Sequence, residues 1–157
     1  MKKIKFNLNN KQVEVELDPS SRLLDVLRNH FGLLGTKEGC GEGSCGACVV
    51  LMDGYSVNSC LLPLANVEGH SVITIEEFSK TKQYEVLRDA FADEGGSQCG
   101  FCTPGMIIAS QSLLSHNPHP TEEEIRAGLS GNLCRCTGYQ SIVNAVLMAS
   151  KKGAGLW

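Results

Sequence analysis

Residues 39–48 read GCGEGSCGAC: three cysteines and four glycines in ten positions, with almost nothing there to build a hydrophobic core. Glycine at that density marks a backbone that turns through left-handed conformations or passes close to another group. What the loop approaches is decided by the cysteines. Cys40, Cys45 and Cys48 lie inside it, and Cys60 follows after eleven intervening residues.

The resulting C-x4-C-x2-C-x11-C pattern is the spacing of plant-type ferredoxins, which supply three ligands from one loop and a fourth from a nearby strand to a [2Fe–2S] cluster. Cysteine sulfurs and inorganic sulfides accept many weak hydrogen bonds. A loop turned by Gly39, Gly41, Gly43 and Gly46 aims successive backbone N–H groups inward to meet them. The flanks fit a small α+β unit. KIKFNLNN and KQVEVEL alternate apolar and polar residues as half-buried strands do, with Asn9-Asn10 as the turn. Asp18-Pro19 is expected to open a helix carrying Leu23, Leu24, Leu27 and Phe31 on one face, with Gly32 at its C-cap. ACVVLMDG and SVITIEEF read as further strands, completing a ubiquitin-like roll around one helix.

The second half reads as helical and carries its own four cysteines: Cys99, Cys102, Cys134 and Cys136. TPGMIIASQSLL is apolar nearly all round, the mark of a helix buried on several sides. Thr121 and Glu124 form a capping-box pattern ahead of Ile125 and Leu129, and Ile142, Ala145, Val146 and Ala149 make another helical stripe. The polar SKTK stretch sets the division, giving units 1–78 and 79–157. The spacing C-x2-C-x31-C-x1-C leaves the second site open between an iron–sulfur cluster and structural zinc, although zinc pairs normally enclose two to four residues rather than the single Arg135. A thioredoxin-like CxxC at Cys99 and Cys102 lacks the βαβ context it needs. A Rieske centre needs two histidine ligands, and His30, His70, His116 and His119 all lie away from the cysteine motifs.

Bulk properties narrow the function further. The chain has 157 residues, 42% hydrophobic and 20% charged, with a formal charge of −3. It has no clustered basic residues for nucleic acid and no apolar run near the about 18 residues a membrane span needs. MKKIKFNLNN has no apolar segment or cleavage site of a signal peptide, so a cytoplasmic protein is expected. Eight cysteines in a reducing compartment point to metal or redox chemistry rather than disulfides. No residue reads as a catalytic acid, base or nucleophile. Glu122, Glu123 and Glu124 suit a helix's first turn, and Trp157 reads as a tail or subunit contact.

Taken together, GTKEGCGEGSCGACVV, VNSCL, QCGFCTPGM and GNLCRCTGYQSIV closely resemble the small iron–sulfur subunit of the xanthine dehydrogenase family of molybdenum hydroxylases, over essentially the whole chain. The resemblance implies a β-grasp plant-type ferredoxin domain followed by a four-helix domain, each with one [2Fe–2S] cluster, and so decides the second site for iron. It implies that Cys40, Cys45, Cys48 and Cys60 hold a flavin-side cluster and that Cys99, Cys102, Cys134 and Cys136 hold a molybdenum-side one. Gln98 matches a glutamine that hydrogen-bonds the pterin, and Cys136 the ligand whose sulfur lies nearest it; Gly100 fits the CGFC turn. The partners implied are a molybdopterin-binding large subunit and an FAD-binding medium subunit, in a dimer of heterotrimers. The chain would pass single electrons from molybdopterin to FAD. A purine is the expected substrate, with aldehydes, nicotinate or other N-heterocycles and carbon monoxide as the family's other options. A free-standing ferredoxin would need only the first domain, and a zinc-stabilised binding module would have no redox role. Two oxidised clusters of about −2 each would take the chain to about −7, a charge that N–H donors and helix N-termini must balance. Arg135, between two ligands, is placed either to share in that balance or to face solvent or a partner subunit.

Overall fold

The computed structural model describes residues 2–157. Strands β1 (Lys2–Leu8) and β2 (Lys11–Leu17) form an antiparallel hairpin with Leu8 opposite Lys11. Asn9 and Asn10 both take positive φ, 52° and 64°, as a tight two-residue hairpin turn requires. Alternation then buries Ile4, Phe6, Leu8 and Val15.

The helix that follows starts later than expected. Asp18 accepts the N–H of Ser20 at 2.9 Å and closes a turn of its own, so α1 (Leu23–Asp25) begins after Arg22 without a side-chain cap. It runs on as a π-helical turn over Val26–His30 and stops at Gly32, φ 68°. Leu23, Val26 and Leu27 join Ile4, Phe6, Val50 and Val72 in the core, whereas Leu24 forms a separate buried group with Cys48 and Cys60.

After the cysteine loop come β3 (Val49–Met52), a turn at Asp53-Gly54, β4 (Tyr55–Asn58) and β5 (Ser71–Ile73). β5 lies between β1, which it parallels, and β3, which it opposes, giving the order β2-β1-β5-β3-β4. This is the β-grasp arrangement. SVITIEEF is strand for only its first three residues. Asn9 Oδ1 accepts the Thr74 N–H at 2.9 Å and Glu76 accepts the Thr74 hydroxyl at 2.6 Å, which ends the ladder and starts α2 (Ile75–Phe78).

The helical part comprises α3 (Lys82–Asp93), α4 (Thr103–His116), α5 (Glu122–Gly128) and α6 (Gln140–Lys152). Thr121 and Glu124 make the expected capping box on α5. Helix α4 is enclosed by α3, α5, α6 and the sheet: Val49 and Leu51 of β3 share one core with Met106, Ile107, Leu114, Ile125 and Val146. The two halves are therefore joined by apolar packing, not by a linker alone. Trp157, expected as a tail or subunit contact, packs against this helical core, and Gln83 Nε2 donates to Leu156 O at 3.1 Å. Among the described residues no helix is long and apolar enough to cross a membrane.

Two candidate cluster sites

The first site is built by the loop between α1 and β3, closed by the turn after β4. Gly41, Gly43 and Gly46 take φ of 69°, 81° and 73°, conformations that would strain any side chain. The turns aim N–H groups at sulfur: Glu42 N and Ser44 N donate to Cys40 Sγ at 3.4 and 3.3 Å. At Gly39 a Cβ would sit 2.8 Å from Cys45 Sγ, so the backbone approaches the sulfur as the glycine pattern suggested. Cys60 comes from the turn after β4 rather than from a strand, because Asn58 ends the pairing and Ser59 donates its hydroxyl to Cys48 O at 2.7 Å. Cys48 and Cys60 are buried under Leu24; Cys40 and Cys45 are half-buried.

The free thiols differ as their surroundings demand. Hydrogen bonding from Ser44 and from the backbone N–H of Glu42 lowers Cys40 to about 6. Burial, then the adjacent Cys48 sulfur, pushes Cys60 up to about 11. Two sulfurs this close and this buried resist becoming thiolates together unless a cation is bound between them.

The second site is built by the turn before α4 and the loop before α6. Cys102 is the N-cap of α4 and half-buried, while Cys99 is exposed. From the other loop, half-buried Cys134 adjoins Cys102 and exposed Cys136 adjoins Cys99. Burial and then Cys134 push the Cys102 thiol up to about 12. For Cys134, burial acts upward, but the Thr137 hydroxyl and backbone N–H groups outweigh it and hold the thiol below its ordinary value. Cys136 is raised by Cys99.

The donor set fits a binuclear cluster. All eight cysteines are free, in two groups of four, and within each group sulfurs lie near enough to shift one another's protonation. Two thiolates on each of two irons is the demand of [2Fe–2S], whereas tetrahedral zinc gathers four donors around one ion.

The sites touch one another. Leu133, next to Cys134, donates its N–H to the carbonyl of Cys45 at 2.9 Å, and buried Asn132 donates Nδ2 to Gly46 O at 3.1 Å. Gly105 of α4 abuts the same Gly46 carbonyl, leaving no room for a Cβ. Sequence reasoning did not find Asn132, Gly105 or Thr137, and it placed Leu24 on the helix face without linking it to the cysteines. Thr137, a hydroxyl directly after a ligand, carried the only local signal.

The remaining candidates are placed as follows. Gln98 is exposed beside Cys99 and donates Nε2 to Gly95 O at 3.1 Å. Arg135 is exposed. The histidines are engaged or peripheral: His30 packs edge-to-face with Phe31, His70 pairs with Asp53, His116 Nδ1 meets Ser112 O, and His119 is exposed.

Comparison with known proteins finds two iron–sulfur families in succession along the chain. Residues 6–71 match the family model of the 2Fe-2S iron-sulfur cluster binding domain, and residues 74–147 match that of the [2Fe-2S] binding domain. The chain is 44% identical over 151 residues to the nicotinate dehydrogenase small FeS subunit of Eubacterium barkeri, covering 96% of each. It is 45% identical to a probable xanthine dehydrogenase subunit of Bacillus subtilis, covering 90% of this chain and 81% of that one. Among solved structures, a chain of quinoline 2-oxidoreductase from Pseudomonas putida 86 superposes with a TM-score of 0.90 at 41% identity, covering 98% and 95%.

Proposed function

This chain belongs to the small [2Fe–2S] subunits of the molybdenum hydroxylases, and from that premise we propose how its residues divide the work of electron transfer. It is the iron–sulfur electron-transfer component of such an oxidoreductase, with two [2Fe–2S]-binding domains. Cys40, Cys45, Cys48 and Cys60 hold one cluster, and Cys99, Cys102, Cys134 and Cys136 hold the other; the units divide at 78/79, in the polar stretch after α2. Each bound cluster accepts and releases one electron at a time. The chain's part is to fix the distance, exclude water and supply N–H donors to sulfur.

The observation that carries this reading is the 2.9 Å hydrogen bond from Leu133 N to Cys45 O. It joins the neighbour of one ligand to the backbone of another, so a single hydrogen bond spans the gap between the two cysteine sets. The exposed second site, with Gln98, Cys99, Phe101, Leu133 and Cys136 at the surface, suits a molybdopterin-bearing large subunit, with Gln98 and Cys136 turned to the pterin. Exposed Leu61 beside Gly43 suits an FAD-bearing medium subunit at the first site, in a dimer of heterotrimers. Eight unpaired cysteines suit the cytoplasm. Relatives named for nicotinate, xanthine and quinoline support an N-heteroaromatic ring, such as the expected purine, as the holoenzyme's substrate, and others named for aldehydes keep that class as the second option.

The test is EPR of the reduced, anaerobically purified enzyme beside iron, sulfide and zinc analysis. Two distinct signals with matching iron and sulfide are expected; one signal with bound zinc would reduce the second site to a structural one. Gln98→Ala should keep both signals but slow their reduction by substrate. Unchanged reduction removes Gln98 from the site.

A further inference from the structure

We infer that Thr137 is a positioning residue that raises the reduction potential of the helical-domain cluster by donating its hydroxyl to the sulfur of Cys134. This rests on the assignment of Cys134 as a ligand. Thr137 Oγ1 lies 3.1 Å from Cys134 Sγ, closer than the backbone N–H contacts of 3.3 and 3.4 Å at Cys40.

The direction of that hydrogen bond follows from the ligand role: a cysteine that binds a cluster is a thiolate without a proton, so the hydroxyl is the donor. Tyr139 N donates to Thr137 Oγ1 at 3.2 Å and holds the oxygen in place beside the sulfur. Tyr139 sits at φ 73°, a conformation rarely adopted by a bulky aromatic residue. Its phenol oxygen also accepts the Cys134 N–H at 3.1 Å. The loop is thus a closed circuit: Cys134 N to Tyr139 Oη, Tyr139 N to Thr137 Oγ1, and Thr137 Oγ1 to Cys134 Sγ. Held backbone strain of this kind persists only where the surroundings enforce it.

The chemical consequence follows from charge. Reduction adds an electron to the cluster and its sulfurs, so a hydrogen bond to sulfur is stronger in the reduced form and favours it. Ligand-sulfur hydrogen bonds are among the protein's main means of tuning such a potential. Thr137 supplies one from a side chain, where substitution can remove it without changing a ligand.

The experiment is an EPR-monitored redox titration of the assembled enzyme as wild type, Thr137→Val and Thr137→Ser, with iron and sulfide counted in each. Thr137→Val should lower the potential of one signal only, by about a tenfold change in its oxidised-to-reduced ratio, which is about 59 mV for one electron. Thr137→Ser should restore it. Equal potentials in Val and wild type, movement of both signals, or failure of Ser to restore the value would overturn the inference. Loss of the cluster in Thr137→Val and also in Thr137→Ala, but not in Ser, would overturn it in favour of a structural role. A wild type with only one iron–sulfur signal would instead refute the ligand assignment beneath it.

Discussion

Gly105→Ala sets local preference against packing and so tests whether the two cluster sites are built against each other. Gly105 lies in the first turn of α4 with ordinary helical φ, and alanine there should gain up to about 1 kcal/mol of helix propensity. The added Cβ, however, would overlap Gly46 O and stand 3.4 Å from Ala47 Cα. One backbone must retreat by roughly 1 Å to restore contact distance. Overpacking of this kind costs about 1–3 kcal/mol, and displacing a carbonyl that accepts from buried Asn132 puts a further about 1–3 kcal/mol at risk. After subtracting the propensity gain, the expected result is a net loss of about 1–5 kcal/mol. It would be read as an apparent unfolding midpoint lowered by about 2–4 °C per kcal/mol, with a shifted EPR signal from the first cluster. Gly128→Ala is the control, since its Cβ would meet only Leu113 side-chain carbons at 3.1 Å and those can swing aside. A Gly105→Ala protein stabilised by about 1 kcal/mol with both signals unchanged would refute the close apposition of α4 and the cysteine loop.

Cys45→Ser should abolish one EPR signal and leave the other, because the bond to Leu133 uses the Cys45 carbonyl and not its sulfur; joint loss would mean that the two sites assemble only as one. Asn132→Ala leaves Gly46 O with only the longer Val49 N–H bond of 3.3 Å and should cost about 1–3 kcal/mol in chemical denaturation, whereas a neutral result would show that Val49 N–H or water satisfies the carbonyl without the amide. The Ser71 N–H, then His70, holds the Asp53 carboxyl below its ordinary value. Its contribution is therefore complete above the unfolded value of about 4 and is lost as pH falls through the lower folded value, so the stability gap between wild type and Asp53→Asn should close in acid. A gap that stays constant to about pH 2 would assign it to something other than the carboxylate.

The parts of this architecture written in local pattern were legible in the sequence. The Asn9-Asn10 hairpin, the capping box of Thr121 and Glu124, the buried stripe of Ile142, Val146 and Ala149, and the two cysteine groups each announce themselves within a few residues. Other elements were hidden because their cause lies elsewhere in the fold. β4, YSVN, has two exposed and two half-buried residues and is a strand only because β3 pairs with it. SVITIEEF reads as a strand from its β-branched run Val72 to Ile75, yet Asn9 and Glu76 end it at Ile73 by accepting the Thr74 N–H and hydroxyl. Leu24 shares its helical face with Leu23 and Leu27 in periodicity, but the π-helical turn and the nearby thiols draw it out of the sheet core and over Cys48 and Cys60. For the sites, spacing named the sulfurs and could not name what lies between the two sets, since Gly46, Gly105 and Asn132 are far apart in sequence.

That contact bears on the reading of the chain as a free-standing ferredoxin. A shuttle needs a first domain that is complete alone, and this one is not. Val49 and Leu51, which follow directly from the cysteine loop, are each 8% exposed only because α4 covers them. Cys45 O and Gly46 O, at the centre of the glycine-turned loop, take their inter-domain hydrogen bonds from Leu133 and Asn132. Removing the helical domain would expose an apolar strand face, take the Leu133 donor from Cys45 O and leave Gly46 O with only the Val49 N–H, at the point where the loop must hold its shape. The glycines of residues 39–48 therefore serve two approaches at once. Gly39, Gly41 and Gly43 turn the loop around the sulfurs, and Gly46 lets the second domain come close enough to hydrogen-bond a ligand's own backbone. A relay needs that second approach and a lone cluster does not, which is why the loop is more consistent with a fixed two-site conductor than with a shuttle.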